Sequence, residues 1–385
     1  MADHYTPREM LEKLVAFPTV SSESNLPLID FVEDYLNGHG VTCHRVPDET
    51  GTKSSLFANI GPEVEGGVVL SGHTDVVPVE GQPWSTDPFV VTERDGKLFG
   101  RGTCDMKGFN AIGLAMVPQM LSAGLKRPVQ IALSYDEEVG CVGAPPMIAR
   151  MRRTLPPASA VVVGEPSMMK MVNGHKGSIG FETHVRGFEV HSSLVHTGVS
   201  AIMVAAKLIN WHTERMAENR AAADPASTYT PPWTTLHVGI VKGGTAGNIT
   251  ARDCTFTSDV RMVPGESAAE WYARYRAYAD SLEAEMQAIH PDTGIHISER
   301  HAVPACRTEA DSEAELLVRR LTGDNSEAVV AYGTEAGQFQ DEGYKTVICG
   351  PGSIEQAHQA DEFLSLEQLA AGTRFVEKLI DELQH

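Results

Sequence analysis

Apolar residues recur along this chain with two different periods, and the change from one to the other outlines its elements. In TPREMLEKLVAF the spacing is helical, Thr6 and Glu9 make a capping box, and Pro7 takes the first helical position. Leu28, Phe31, Val32, Tyr35 and Leu36 repeat at the same spacing as far as Gly38. Short apolar runs then predict strands at Val41–Val46, Ser55–Ile60 and Val68–Ser71. A helix through GFNAIGLAMVPQML, a strand VQIALSY, a helix near APPMIARM and a strand AVVVG continue the alternation. Helices alternating with apolar strands predict an α/β sheet that collects these strands.

The style changes near Lys176. GSIGFETHVRG, a helix AIMVAAKLINWHTERM, strands TTLHVGIV and CTFTSDVRMV, a helix AAEWYARYRAYADSLEAEMQAI and a strand GIHISERH follow. Strand, helix, two strands, helix, strand describes a compact two-layer α+β domain inserted in the first, and RAAADPASTYTPPW reads as a surface loop within it. The first style then returns, with a helix EAELLVRRLTG, strands AVVAYG and KTVICG, and a last helix from Ser365. The expected division is a discontinuous domain of residues 1–176 and 300–385 around an inserted domain of residues 177–299.

Composition narrows what such a chain can do. With 385 residues, 42% of them apolar, it can build a large core and more than one domain. A formal charge of −20 opposes nucleic acids and anionic membrane surfaces, so neither is expected as a partner. MADHYTPREMLEKLVAF carries no apolar signal core and no stretch is long enough to span a bilayer, which predicts a cytoplasmic protein. Six scattered cysteines without a C-x-x-C pair argue against a disulfide framework or a thiolate zinc site.

The candidate chemistry sits where apolar strands end. His73 and Asp75 follow VVLSG, Asp105 lies in GRGTCDMKG before a helix, Glu137 and Glu138 follow IALSYD, Glu165 follows AVVVG, and His358 follows TVICGPGSIEQA. In open α/β sheets, ligands bind in the crevice beyond the carboxyl ends of the strands. Two histidines and several carboxylates beside chain-turning Gly or Pro match the donors that zinc and related divalent ions prefer. Asp75 then has an outer role, accepting a proton from the far nitrogen of His73 and fixing its tautomer. Adjacent side chains diverge, so of Glu137 and Glu138 one can bind metal while the other handles protons.

SGHTDVVPV, GRGTCDMKG, SYDEEVGCVGA, GEPS, FEVHSS and CGPGSIEQAHQADEF, in this order, resemble the co-catalytic zinc hydrolases that include aminoacylases, succinyl-diaminopimelate desuccinylase and glutamate carboxypeptidases. The resemblance runs from near the start to the last helix. It implies a zinc-peptidase-like mixed sheet with helices on both faces, and a ferredoxin-like inserted domain that acts as lid and pairs two chains in a homodimer. It also implies two divalent ions per chain, zinc in the first place with cobalt or manganese as alternatives. One would take His73, Asp105 and Glu165 and the other His358, Asp105 and Glu138, with Asp105 bridging. Glu137 would be the general acid/base, acting on a hydroxide shared by ions about 3.5–4 Å apart.

Within the family, YGTEAGQFQ, HKGSIGF and GPGSIEQAHQADEF are most similar to the branch that hydrolyses N-acetyl-L-ornithine to L-ornithine and acetate in arginine biosynthesis. By the same resemblance His191 in FEVHSS would polarise the substrate carbonyl at the other subunit's site, and Asn248 and Arg261 would contact the substrate carboxylate. A substrate bearing a side-chain ammonium also needs a fixed anion. Glu335 in YGTEAG, expected on a loop between two apolar strands and facing the crevice, is the candidate. Nothing reads as a hydrophobic pocket for a large side chain, which favours a small polar substrate. Succinyl-diaminopimelate desuccinylase, aminoacylase and dipeptidase activities are the alternatives, as is a metal-binding relative without chemistry. Glu137, which such a relative would not need, favours an enzyme.

Overall fold

A computed structural model describes residues 3–385. The chain forms two compact units, one made of Met1–Gly174, Cys306–Ala328 and Thr334–His385, the other of His175–Ala305 with Val329–Gly333. The return to the first unit lies at Cys306 rather than at residue 300, because the strand Gly294–Val303 runs on through the expected boundary and belongs to the second unit.

The first unit is built on a six-stranded sheet in the order Cys43–Pro47, Ser54–Ile60, Val129–Ser134, Gly67–His73, Ala158–Pro166, Thr346–Gly350. The four strands from Val129–Ser134 to Thr346–Gly350 are parallel, and Ser54–Ile60 and Cys43–Pro47 add antiparallel at one edge. All seven residues of Gly67–His73 are buried, as a parallel strand covered on both faces requires. Leu56, Val68, Leu70, Ile131, Leu133 and Val162 enter one core with the helices Pro7–Val15, Leu26–Gly38, Lys107–Ala115, Glu313–Thr322 and Leu366–Leu383. On the opposite face Ala144–Thr154 and Ala336–Asp341 pack on each other and on the strands.

Local signals account for the element ends. Thr6 and Glu9 close the capping box, and Ser365 caps the last helix by accepting from Gln368 N. GFNAIGLAMVPQML forms two helices, Lys107–Ala115 and Val117–Ser122, broken at Met116, where Pro118 in the second helix has no N–H to continue the first ladder. AVVAYG forms a strand only at Val329–Val330, and Glu335 stands at the start of the helix Ala336–Asp341 rather than on an open loop.

The second unit has the order strand, helix, two strands, helix, strand. Its antiparallel sheet runs Thr235–Gly243, Asp253–Met262, Gly177–Arg186, Gly294–Val303, the arrangement of a ferredoxin-like fold. Ile179, Phe181 and Val185 of the first strand join a core with Leu208, Trp211, Trp271 and Tyr275 of the helices Ala201–Ala221 and Ala268–Ile289. Among the described residues no helix is long and apolar enough to cross a membrane.

Candidate metal centre

His73 is the last residue of its strand, and the glycine before it lets the neighbouring helix come close. A Cβ on Gly72 would collide with the Asn110 side chain, whose Nδ2 donates to His73 O at 2.6 Å. The strands ending at His73, Ser134 and Pro166 are parallel neighbours, so the turns after them open on the same side. Beyond these ends the structure gathers His73, Asp105, Glu137, Glu138, Glu165 and His358.

Asp105 is central. Its Oδ1 lies 3.0 Å from His73 Nε2 and its Oδ2 3.3 Å from His358 Nε2, so its two oxygens are divided between two imidazoles. Glu165 Oε1 is 3.7 Å from His73 Nε2, and Glu138 Oε2 is 3.0 Å from His358 Nε2. One ligand atom from each of His73, Asp105 and Glu138 lies within 4.8 Å of the others, as do those of His73, Glu137 and Glu165. Both sets meet the spacing needed around a cation.

The electrostatics favour positive charge. Burial pushes the carboxyls of Glu137 and Glu165 well above the usual range, and their acidic neighbours add to it. Burial and Asp105 push Glu138 up to about 7. Hydrogen bonds from His358 and His73 outweigh burial at Asp105 and hold it low. Hydrogen bonds to Asp105 and Glu138 raise His358 to about 10, and at His73 hydrogen bonds to Asp105 and Asp75 outweigh burial and raise it as well. Four carboxylates against two imidazoles make an acidic cluster of nitrogen and oxygen donors, a set that fits divalent cations.

Asp75 differs in detail from expectation. His73 Nδ1 donates to the backbone carbonyl of Asp75 at 2.9 Å, and the carboxylate is 3.5 Å away. That carboxylate instead accepts from Glu137 N at 3.1 Å, Glu138 N at 3.3 Å and Ser21 Oγ at 2.6 Å. Residue 75 therefore sets the histidine tautomer through its main chain and anchors the Glu137–Glu138 turn through its side chain.

Glu335 is a correction. It is 1% exposed, its Oε2 accepts from Ser71 Oγ at 3.3 Å and its Oε1 from Ser134 Oγ. Both oxygens face serines on the adjacent strands inside the core, and burial raises the carboxyl. It does not present a charge to a ligand.

A second set of residues holds the ligand loops and escaped the sequence reading. Arg101 and Glu362, each with a side chain 1% exposed, pair at 2.7 Å. Glu362 Oε1 accepts from the backbone N–H of Cys104 and Asp105 at 2.9 and 3.0 Å, and Arg101 also donates to Gln82 Oε1. Gln82 Nε2 in turn donates to the carbonyl of His358 at 2.9 Å, steadying a left-handed backbone at φ 62°. The pair lies inside GRGTCDMKG and QADEF; an arginine in a glycine-rich turn and an acid beside a ligand motif are the signals that could have marked it.

The remaining candidates belong to the second unit. His191 begins an exposed 3₁₀ turn, with Nδ1 2.8 Å from Ser193 Oγ and accepting from Ser193 N. Asn248 lies beside it, its carbonyl accepting from Ser192 N at 2.8 Å. Arg261, on the strand Asp253–Met262, donates from Nε to Asp259 at 2.9 Å.

The model of peptidase family M20/M25/M40 matches residues 69–382. Acetylornithine deacetylase of Myxococcus xanthus is 33% identical over 94% of this chain and 93% of its own. That of Pasteurella multocida (strain Pm70) is 33% identical over 97% of both. In fold, an M20 family metallo-carboxypeptidase of Sulfolobus solfataricus is similar with a TM-score of 0.76 at 18% identity, over 99% of each chain. A dinuclear metal binding peptidase of the same family from Bacillus subtilis gives 0.63 at 16% identity, over 98% of this chain and 97% of its own. With the family model reaching from the strand that ends in His73 past the loop of His358, and two relatives 33% identical over 94% and 97% of the chain, this chain belongs to peptidase family M20/M25/M40 and is an amidohydrolase.

Proposed function

We propose that the chain hydrolyses N-acetyl-L-ornithine to L-ornithine and acetate, a cytoplasmic step of arginine biosynthesis, with two divalent ions bound per chain. The observation that carries the metal reading is the division of Asp105's two oxygens between His73 and His358. His73, Asp105 and Glu165 would hold one ion and His358, Asp105 and Glu138 the other. Zinc suits these donors best, and cobalt or manganese can replace it. When bound, such ions supply Lewis acidity toward a carbonyl and acidify water.

The protein's own groups do the rest. Glu137 takes the proton of the attacking water as the new C–O bond forms, then delivers it to the nitrogen as the C–N bond breaks. A raised carboxyl, such as burial gives Glu137, suits a group that must both accept and donate. Asp75 holds the Glu137 main chain in place. By the family resemblance, His191 would polarise the carbonyl at the other subunit's site, and Asn248 and Arg261 would contact the substrate carboxylate, Arg261 through its guanidinium fork. The acetylornithine substrate rests on the two relatives so named, and the burial of Glu335 removes that residue as reader of the ammonium.

The homodimer is proposed on the second unit's edge strand Thr235–Gly243. Its Ile240 and Val241 are 52% and 53% exposed, as are Ile202 and Met203 of the helix Ala201–Ala221 at 42% and 68%. Light scattering at twice the chain mass would support it, and the single chain mass would not.

The substrate is tested by kcat/KM on N-acetyl-L-ornithine, N-acetyl-L-methionine, N-succinyl-L-diaminopimelate and a dipeptide. N-acetyl-L-ornithine should lead by tenfold or more, on the order of one charge-assisted contact. A lead for the succinyl compound or the dipeptide would overturn the assignment.

A further inference from the structure

Cys141 lies four residues after Glu137, in the tight turn DEEVGC. Its backbone N–H donates to Glu137 O at 3.0 Å and its carbonyl accepts from Gln338 Nε2 at 3.0 Å, so the residue is pinned from both sides. It is 2% exposed, and its Sγ donates to Glu137 Oε1 at 3.3 Å. Its φ is 55°, the left-handed region that glycine adopts without strain and a side chain does not. A cysteine kept in that conformation puts a thiol against the carboxylate, which glycine could not do. A thiol in its ordinary range is already S–H near neutral pH, so this one can act as a donor to the carboxylate it touches.

We propose that Cys141 is a positioning residue whose S–H fixes one oxygen of Glu137 and leaves the other aimed at the proton it must carry. This rests on the reading of Glu137 as general acid/base. Asp75 holds the main chain of the same residue, so Glu137 is secured at backbone and side chain by two different groups. The contact makes no covalent bond and passes no proton.

The test uses the metal-loaded full chain with N-acetyl-L-ornithine, or with whichever N-acyl amino acid of the panel above it turns over fastest. Cys141→Ala and Cys141→Gly should lower kcat about 3- to 10-fold, the scale of one hydrogen bond, with KM and bound metal unchanged. Cys141→Ser, which keeps a donor, should recover most of that loss. In a Glu137→Gln background Cys141→Ala should add nothing. The infrared S–H band that Cys141→Ser removes should shift to higher frequency in Glu137→Gln, since a carboxylate is the stronger acceptor. Unchanged kcat in Cys141→Ala, a loss confined to KM, a serine variant no better than alanine, or a band indifferent to Glu137 would each overturn the positioning role. If Glu137→Gln itself turns over normally, the general-base reading fails and this one with it. A large loss in Glu137→Gln beside a silent Cys141→Ala would overturn the positioning role alone.

Discussion

Asp105 and Glu335, both buried, and the half-buried Glu137 are three acids with three different fates, and their neighbours decide which. Asp105 faces two imidazoles, Glu137 faces other carboxyls and a thiol, and Glu335 faces two serines. Glu137→Gln keeps the shape but cannot accept a proton. It should retain bound metal and lose about 100- to 10,000-fold in kcat, read by kinetics and metal analysis together. Near-normal turnover would remove Glu137 from the role. Glu335→Ala should leave two buried serine hydroxyls without their acceptor and cost about 1–3 kcal/mol of stability in denaturant unfolding. Glu335→Gln should not change the ratio of kcat/KM between N-acetyl-L-ornithine and N-acetyl-L-methionine, and a narrowed ratio would restore the ammonium contact. The metal-ligand candidates were legible because His73 and Glu165 adjoin glycines at strand ends and Asp105, Glu138 and His358 lie in glycine-containing turns near them. Glu335 was not legible as a core residue, because its partners Ser71 and Ser134 lie 264 and 201 positions away, and nothing local marks a serine as an acceptor's mate. Arg101 and Glu362, which lie 261 positions apart, were missed for the same reason, whereas Cys141 is only four positions from Glu137 and was missed because nothing in the sequence marks a buried thiol as a hydrogen-bond donor.

Elements with a strong period or a cap were legible, and those without one were not. The helix Pro7–Val15 follows from Thr6, Pro7 and Glu9 alone, whereas AVVAYG has strand composition yet pairs over only two residues. The helix Ala201–Ala221 carries a test of its own packing. His212 is 3% exposed, with its ring 4.9 Å from that of Tyr275, and Nδ1 donates to Leu208 O at 2.9 Å. Nε2 is buried and has no hydrogen-bond partner among the described residues. Burial lowers this imidazole below its ordinary 6.5 despite the Leu208 bond. The unfolded chain therefore takes up the proton at a higher pH than the folded one. Stability of the second unit should fall as pH drops below about 6.5 and through the lower folded pKa, and level off beneath it. His212→Leu should flatten that slope in thermal melts over the same range. An equally steep slope in the variant would place the acid sensitivity elsewhere.

At the scale of the molecule, strand order explains how residues so far apart in sequence share one site. His73, Asp105, Glu138, Glu165 and His358 span most of the chain, but the parallel strands ending at His73, Ser134, Pro166 and Gly350 direct the following turns to one end of the sheet. The alternation of helix and strand foretold an α/β sheet, and the change of style near Lys176 marked the second unit. The order of the strands and the return at Cys306 depended on long-range pairing that periodicity does not encode. The central claim is that this assembly is a two-ion amidohydrolase, and metal removal tests it most directly. The chain is stripped with a chelator and titrated with zinc, while bound metal and turnover of N-acyl amino acids are followed together. We expect activity to vanish on stripping and to return in full as binding reaches two ions per chain, with Asp105→Ala failing to recover either ion. Full activity in the stripped protein, or saturation of both readings at one ion per chain, would contradict it.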